Sequence, residues 1–423
     1  LSDSADIIVI GGGAGGMCAA LGAAEESKKA GIPARILLIE RNKHLGIKIL
    51  ISGGGKCNIT HLGSVDAVLK EGFPEVAEQR FLKPSFYRYF NTDILSMLER
   101  HGVAWHAREN NRVFPDSGRA EQVLNAFEAE LKDQKITVRL NERVQAIVTD
   151  GSGWHIKTEK STYNTKVIIL ATGGVTYKKV GTTGDGIEFS EMLGHTIIPL
   201  RSALAPIYLS PSPASELQGV AIRNAELIIS QGGKEVYSYP EDVLITHRGL
   251  SGPATLGISR YAALALEKGP VEIRCNLLGE TEDTLRQQLQ QVQQDRSTQQ
   301  VKTWLEEKLP NRLAPFILNA AAIPQDRKWN ALTKQERQQL LKALFRYPFG
   351  LIAEIPIDRG EVSAGGVSLK EVDPKTMMSR KVPGLFFAGE ILDIAGEVGG
   401  FNLQAAYSTG WVAGEEAVKY LKR

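Results

Sequence analysis

The sequence predicts an α/β fold in which a Rossmann-like dinucleotide-binding domain is interrupted by a β-rich insertion carrying a small helical cap. Three observations lead there. An apolar run, Ala5-Asp6-Ile7-Ile8-Val9-Ile10, opens directly into a GxGxxG turn. Two further strand-to-glycine turns follow, at 167–174 and 384–390. Between 196 and 354 the pattern changes to strand-like segments and then to polar helices. The predicted domains are 1–195 with 355–423, and 196–354 with a helical subdomain at 280–345. A length of 423 residues suits two or three domains at about 100–200 residues each.

Composition narrows the classes. Fifty Lys and Arg against 48 Asp and Glu leave +2, too balanced for a sequence-independent nucleic-acid binder, so no nucleic-acid partner is expected. A hydrophobic content of 43% with 23% charged residues excludes global disorder. No run approaches the roughly 18 apolar residues of a membrane span. Cys18, Cys57 and Cys275 form no CxxC, which argues against a disulfide framework, a zinc site or a dithiol centre, and no metal is expected. No signal-peptide pattern is visible, so cytoplasm is the expected location. The 42 glycines exceed the ordinary ~7% usage, and they cluster.

The first cluster, Gly11-Gly12-Gly13-Ala14-Gly15-Gly16, follows the opening strand. Gly11 permits the tight turn, Gly13 lets backbone approach a pyrophosphate, and Gly16 lets helix pack on strand. Ala20 and Ala24 extend Gly16 into a row of small residues, and Gly31 ends the helix. A second strand, residues 35–40, ends in Glu40, spaced to accept hydrogen bonds from ribose hydroxyls. Arg41 follows it. A carboxylate there disfavours a 2′-phosphate.

The second cluster is Ser52-Gly53-Gly54-Gly55-Lys56-Cys57-Asn58, preceded by Lys48. Three consecutive glycines cost ordering entropy in a helix or sheet and suit a loop pressed on a flat ligand or phosphate. The third, Ala171-Thr172-Gly173-Gly174, ends a strand and precedes a helix expected from 187. Residues 85–99 and 119–133 have amphipathic helical patterns. The fourth comprises the strand ending Ala388-Gly389-Glu390 and the turn Gly399-Gly400-Phe401-Asn402-Leu403-Gln404. That turn reads as the start of a last helix, presenting unpaired amides and a positive dipole.

Together these motifs resemble FAD-dependent oxidoreductases with the glutathione-reductase-like fold. More narrowly, Ser52 to Asn58, Thr246-His247-Arg248-Gly249-Leu250-Ser251-Gly252-Pro253 and Gly399 to Gln404 resemble the bacterial BaiN/YhiN-type flavoproteins, the group that includes aminoacetone oxidase. The resemblance implies bound FAD. Gly11, Gly13, Ala14, Gly15 and Gly16 would lie at the pyrophosphate, with Glu40 at the adenosine ribose. Lys48 and the 52–58 loop would follow the ribityl and flavin side. Val144 would offer backbone to adenine, Glu390 with Gly389 would stand beside the ribityl chain, and Ala171, Thr172 and Gly173 would line the site. Asn402 and Leu403 would offer amides to the pyrimidine edge, where negative charge appears on reduction.

In the insertion, 205–209, 225–230 and 271–277 read as strands, and 282–303 and 332–344 as helices. The Gln-rich run 286–300 mixes Arg with Asp and without aromatic interleaving, which suits a solvated face. His247 is the candidate catalytic residue because its side chain can carry protons near neutral pH. A packing role at a domain junction is its alternative. Arg248 could pair with an anionic substrate, and Cys57 reads as a small residue packed against flavin rather than a redox thiol. The expected function is an FAD-dependent oxidoreductase acting on a small organic molecule. Two chemistries fit, an aminoacetone-type amine oxidase and an alkene reductase, with O2 or NAD(P)H as electron partner. The rivals are a flavin-dependent RNA-modifying protein and a flavin-binding regulator without turnover.

Overall fold

The computed structural model describes residues 3–151 and 153–422. The chain divides into two compact units, Leu1–Arg201 with Glu361–Arg423, and Ser202–Gly360. The divisions lie six residues beyond the boundaries read from the sequence. Among the described residues no helix is long and apolar enough to cross a membrane.

The first unit is built on a five-stranded parallel sheet. Its strands, in spatial order, are Leu385–Phe387, Val167–Leu170, Ile7–Ile10, Ile36–Ile39 and Thr137–Arg139. The three central strands are continuous runs of Val, Ile and Leu, buried at every position, as a sheet covered on both faces requires. A four-stranded sheet, which includes Val144–Thr149, Trp154–Thr158 and Thr162–Thr165, lies in the same unit.

The first helix, Ala14–Ala30, ends at Gly31 in the left-handed conformation. Its companion is the last helix, Phe401–Tyr420. A Cβ added to Gly410 would lie 2.1 Å from Gly15 O, and one added to Gly414 would lie 2.0 Å from Ala19 O. The two backbones therefore touch along a glycine seam, which side chains would force apart. The small-residue row on the first helix does bury Ala20 and Ala24, but the neighbouring row, Gly15, Ala19 and Ala23, meets the last helix.

The helix expected over 85–99 is broken in two, Val76–Phe86 and Asn91–Arg100. Pro84 sits in the last turn of the former, and Asp93 accepts from Phe90 N–H (2.7 Å) to start the latter. The amphipathic pattern is real on both sides of the break, but it does not report the local stop and start. Residues 119–133 form the expected helix, Ala120–Asp133.

The second unit holds an eight-stranded sheet, all of whose described pairings are antiparallel. The helix Pro253–Leu266 follows its Gly249–Ser251 strand. The cap comprises Glu282–Asp295, Val301–Lys308, Ala314–Ala320 and Lys334–Phe345. The expected single helix over 282–303 stops at Asp295 and resumes at Val301. This unit has its own apolar core, including Trp304, Trp329 and Leu344.

Candidate functional site

Parallel pairing brings the glycine turns together. Ile10 pairs with both Leu170 and Ile39, and Leu170 pairs with Phe387. The next residues along each strand (Gly11, Glu40, Ala171 and Ala388) therefore emerge side by side at the carboxyl edge of the sheet. That edge is where open parallel sheets bind ligands.

The fingerprint glycines divide into two kinds. A Cβ on Gly11 would lie 2.5 Å from Ala171 O, and one on Gly16 only 1.8 Å from Gly11 O. These positions serve packing. A Cβ on Gly13 would meet nothing within 4 Å, so Gly13 faces open space. It is also the N-cap of the first helix, whose first turn has no acidic residue and no side-chain cap. The amides of Ala14 and Gly15 and the positive helix end are thus left for an anion.

Glu40 closes one side. Its Oε2 accepts from Gly12 N–H (2.7 Å) and its Oε1 from Asn42 N–H (2.8 Å). Burial raises its carboxyl above the ordinary glutamate value, while these two N–H groups and Arg41 pull it down. Arg41 is itself engaged by Thr183 and by Asp185 at 3.3 Å, and Arg143 also holds Asp185, at 2.8 and 3.1 Å. Asn42 and Arg143 carried no motif in the sequence.

On the other side, Lys48 Nζ reaches Glu390 Oε2 at 2.5 Å and Thr176 Oγ1 at 3.2 Å. Glu390 Oε1 accepts from Ser363 N–H (2.8 Å), and Ser363 Oγ accepts from Val175 N–H (2.9 Å). A Cβ on Gly174 would lie 2.3 Å from Ser363 Oγ, so this glycine makes room for the cluster. Burial pushes the Glu361 carboxyl up, and the charge of Lys48 pulls it down. One cation thus serves two carboxylates. Thr176, Glu361 and Ser363 are site residues that sequence reasoning missed, because single polar residues leave no periodic signal.

That arrangement gives a pH-dependent expectation. Lys48→Met leaves Glu390 and Glu361 uncompensated, whereas Glu390→Gln keeps an acceptor for Ser363 N–H. Removing one partner of a fully buried pair costs roughly 3–5 kcal/mol. The Lys48 and Glu390 side chains are 25% and 18% exposed, so about 1–3 kcal/mol is expected for Lys48→Met, and less for Glu390→Gln. Because the folded-state pKa of Glu361 is raised, its contribution is fully present below the ordinary value of 4.5 and is lost as pH rises through the raised value. Losing Lys48 raises it further, so the variant's deficit should open above 4.5 and close towards acid. Thermal melts across that range check this, and a deficit independent of pH contradicts it.

Gly53, Gly54 and Gly55 all have positive φ (56°, 67° and 85°), as does Cys57 (56°). The expected loop is a tight left-handed turn after the short helix Ile47–Ile51. Ser52 Oγ donates to Ile49 O (2.8 Å). Lys56 is exposed. Cys57 is buried, and burial pushes its thiol to about 12, so it is a protonated packing residue at neutral pH. Asn58 accepts from Gly400 N–H (3.0 Å) and donates to Thr60 O (3.3 Å), which ties the turn to the start of the last helix. There Asn402 clasps Gly396 by both its N–H and its carbonyl, at 2.8 Å each. The Asn402 and Leu403 amides lie in the first turn, behind Gly400.

Val144 is buried and begins the strand Val144–Thr149. Thr172 Oγ1 is buried without a partner among the described residues, over Gly186. Gly173 has φ of 73°, and Gly389 N–H donates to Thr409 Oγ1 (3.0 Å). His247 belongs to the second unit, exposed between the strands Val243–Ile245 and Gly249–Ser251. Arg248 stacks on Tyr208, 3.8 Å from the ring centre, and pairs with Glu354 at 3.5 Å.

Residues 5–416 match the model of the HI0933-like protein Rossmann domain. The chain is 32% identical over 417 residues to a ribosomal RNA dihydrouridine synthase of Escherichia coli (strain K12), covering 98% of each chain. It is 29% identical over 416 residues to a 3-dehydro-bile acid delta(4,6)-reductase of Clostridium scindens, covering 97% of this chain and 98% of the other. Among solved structures, a 3-ketosteroid delta1-dehydrogenase from Sterolibacterium denitrificans superposes with a TM-score of 0.51. The identity is 13%, covering 99% of this chain and 100% of that one, which is a likeness of fold.

Proposed function

Since this chain belongs to the HI0933-like family of FAD-dependent Rossmann-fold oxidoreductases, we propose that it reduces a carbon–carbon double bond conjugated to a carbonyl. The observation that carries this reading is what two full-length relatives share. One is named for making dihydrouridine in RNA and the other for reducing a 3-dehydro bile acid. Uracil and a 3-oxo-4,6-diene differ in size and polarity, yet each can gain two hydrogens across a double bond activated by a carbonyl. The amine-oxidase alternative rests on the sequence resemblance alone.

The residues present suit FAD. Gly13 opens onto free space, and the helix behind it has bare first-turn amides for a pyrophosphate. Glu40 stands at the strand end where ribose hydroxyls would meet it. When bound, FAD supplies the hydride. Lys48 and Glu390 would hold the ribityl side, and the Asn402 and Leu403 amides would oppose negative charge at the ring edge. A proton must also reach the α-carbon of the reduced bond, and His247 is the sequence's candidate donor.

Anaerobic spectroscopy tests the direction of reaction. The oxidised protein should keep its colour with aminoacetone, and the chemically reduced protein should regain it with a carbonyl-conjugated alkene. Bleaching by the amine, with no alkene restoring the colour, would make it an amine oxidase.

A further inference from the structure

In the cap of the second unit, the helices Glu282–Asp295 and Lys334–Phe345 flank a groove of about 500 Å³. Its walls carry Arg286, Lys334, Arg337, Lys342 and Arg346, and its one carboxylate is Glu282. Leu289 and Leu341 are buried beneath them, with Phe345 half-buried. Even with Glu235 paired to Arg346 from outside the lining, the groove keeps an excess of cations in a chain whose net charge is +2.

The arrangement follows from helical spacing. Lys334, Gln338, Leu341 and Phe345 fall on one face of their helix, and Arg286 with Gln290 on one face of the other. Three guanidinium groups are held by neighbours. Arg286 meets Glu282 at 2.5 Å, Arg346 meets Glu235 at 3.2 Å, and Arg337 is bonded to Gln293. Lys334 and Lys342 are exposed, outside the ion pairs among the described residues. Cations gathered on one concave face repel each other, and a polyanion relieves that repulsion.

We propose that this groove binds the phosphodiester backbone of single-stranded RNA, an inference that rests on the reading in which the reduced double bond is that of uracil. The volume is in the range of small-molecule clefts, about 300–1,000 Å³. Forked guanidiniums suit phosphate oxygens, and the half-buried Phe345, with Arg346 over its ring at 5.3 Å, adds apolar surface to the groove. A concave groove suits a flexible strand better than a flat anionic membrane. The sequence conceals it because neither helix is strongly basic alone, and their cations meet only in the fold.

The test uses the FAD-loaded protein, its Lys334→Gln/Lys342→Gln variant and a fluorescein-labelled single-stranded RNA of about twenty nucleotides. The wild type should bind it with a steep salt dependence. In the variant the slope of log K against log salt should shrink by about 1.4, or 0.7 per lost charge, with affinity about tenfold weaker at low salt. Reoxidation of the reduced flavin by a small dienone should be unchanged. Equal RNA affinity and slope in the two proteins would overturn the proposal, as would lysine-dependent binding to phosphatidylserine vesicles without binding to RNA. Lysine-dependent RNA binding without uridine reduction supports the groove and removes the uracil reading. Uridine reduction with an unchanged KM in the variant keeps that reading and removes the groove.

Discussion

Gly13→Val is expected to fold normally and to lose FAD. A Cβ at this position meets nothing within 4 Å, and its φ of −77° is open to any residue, so the protein without cofactor has no reason to resist the substitution. The branched side chain would instead fill the space into which the first-helix amides point. A pyrophosphate displaced from those amides loses several charge-assisted hydrogen bonds. A fall in FAD affinity of at least about a hundredfold is expected, or ~2.7 kcal/mol. The melting temperature of the FAD-free protein should stay within about 2 °C. Fluorescence titration with FAD and a melt of the stripped protein measure both. Unchanged FAD affinity would show that the open face of Gly13 is not the cofactor's cradle. Gly16→Ala is the useful contrast, since its Cβ would lie 1.8 Å from Gly11 O and should damage the fold itself.

Gly414→Val should be among the most destabilising single changes in the chain. Its Cβ would lie 2.0 Å from Ala19 O and 2.6 Å from Ala23 N, both backbone atoms of the first helix that no rotamer can move away. Overpacking of a rigid seam costs typically 1–3 kcal/mol and sometimes more, and about 3 is expected here. For a unit of this size that lowers Tm by about 6–12 °C. FAD retention should fall too, because the first helix carries the Gly13 cradle and the last carries the Asn402 and Leu403 amides. A melt within 1–2 °C of wild type, as roughly a few tenths of a kcal/mol would give, would mean that the two helices are not in backbone contact.

Much of this was legible in the sequence, for definite reasons. Buried parallel strands read as unbroken apolar runs, and the turn after Ile10 needs its glycines for backbone clearance. The row formed by Gly16, Ala20 and Ala24 announced close packing, but not that Gly410 and Gly414 would use the adjacent row. The Lys48, Glu390 and Glu361 cluster assembles from segments more than 300 residues apart, with no spacing to connect them. His247 drew attention as a titratable residue in a distinctive motif, and the structure places it on an exposed turn of the other unit. The basic groove escaped because mixed charge on two separate helices reads as solvation until their faces are paired.

A single anaerobic turnover tests most directly whether the protein reduces a carbonyl-conjugated double bond. Protein reduced chemically and freed of excess reductant is mixed, in separate reactions, with deproteinised ribosomal RNA and with a 3-oxo-4,6-diene steroid. Flavin absorbance is followed, and the products are weighed by mass spectrometry after nuclease digestion or extraction. At least one acceptor should restore the oxidised flavin, with one product molecule heavier by two hydrogens for each flavin reoxidised. A flavin that stays reduced with both acceptors, or that reoxidises without a hydrogenated product, would contradict it.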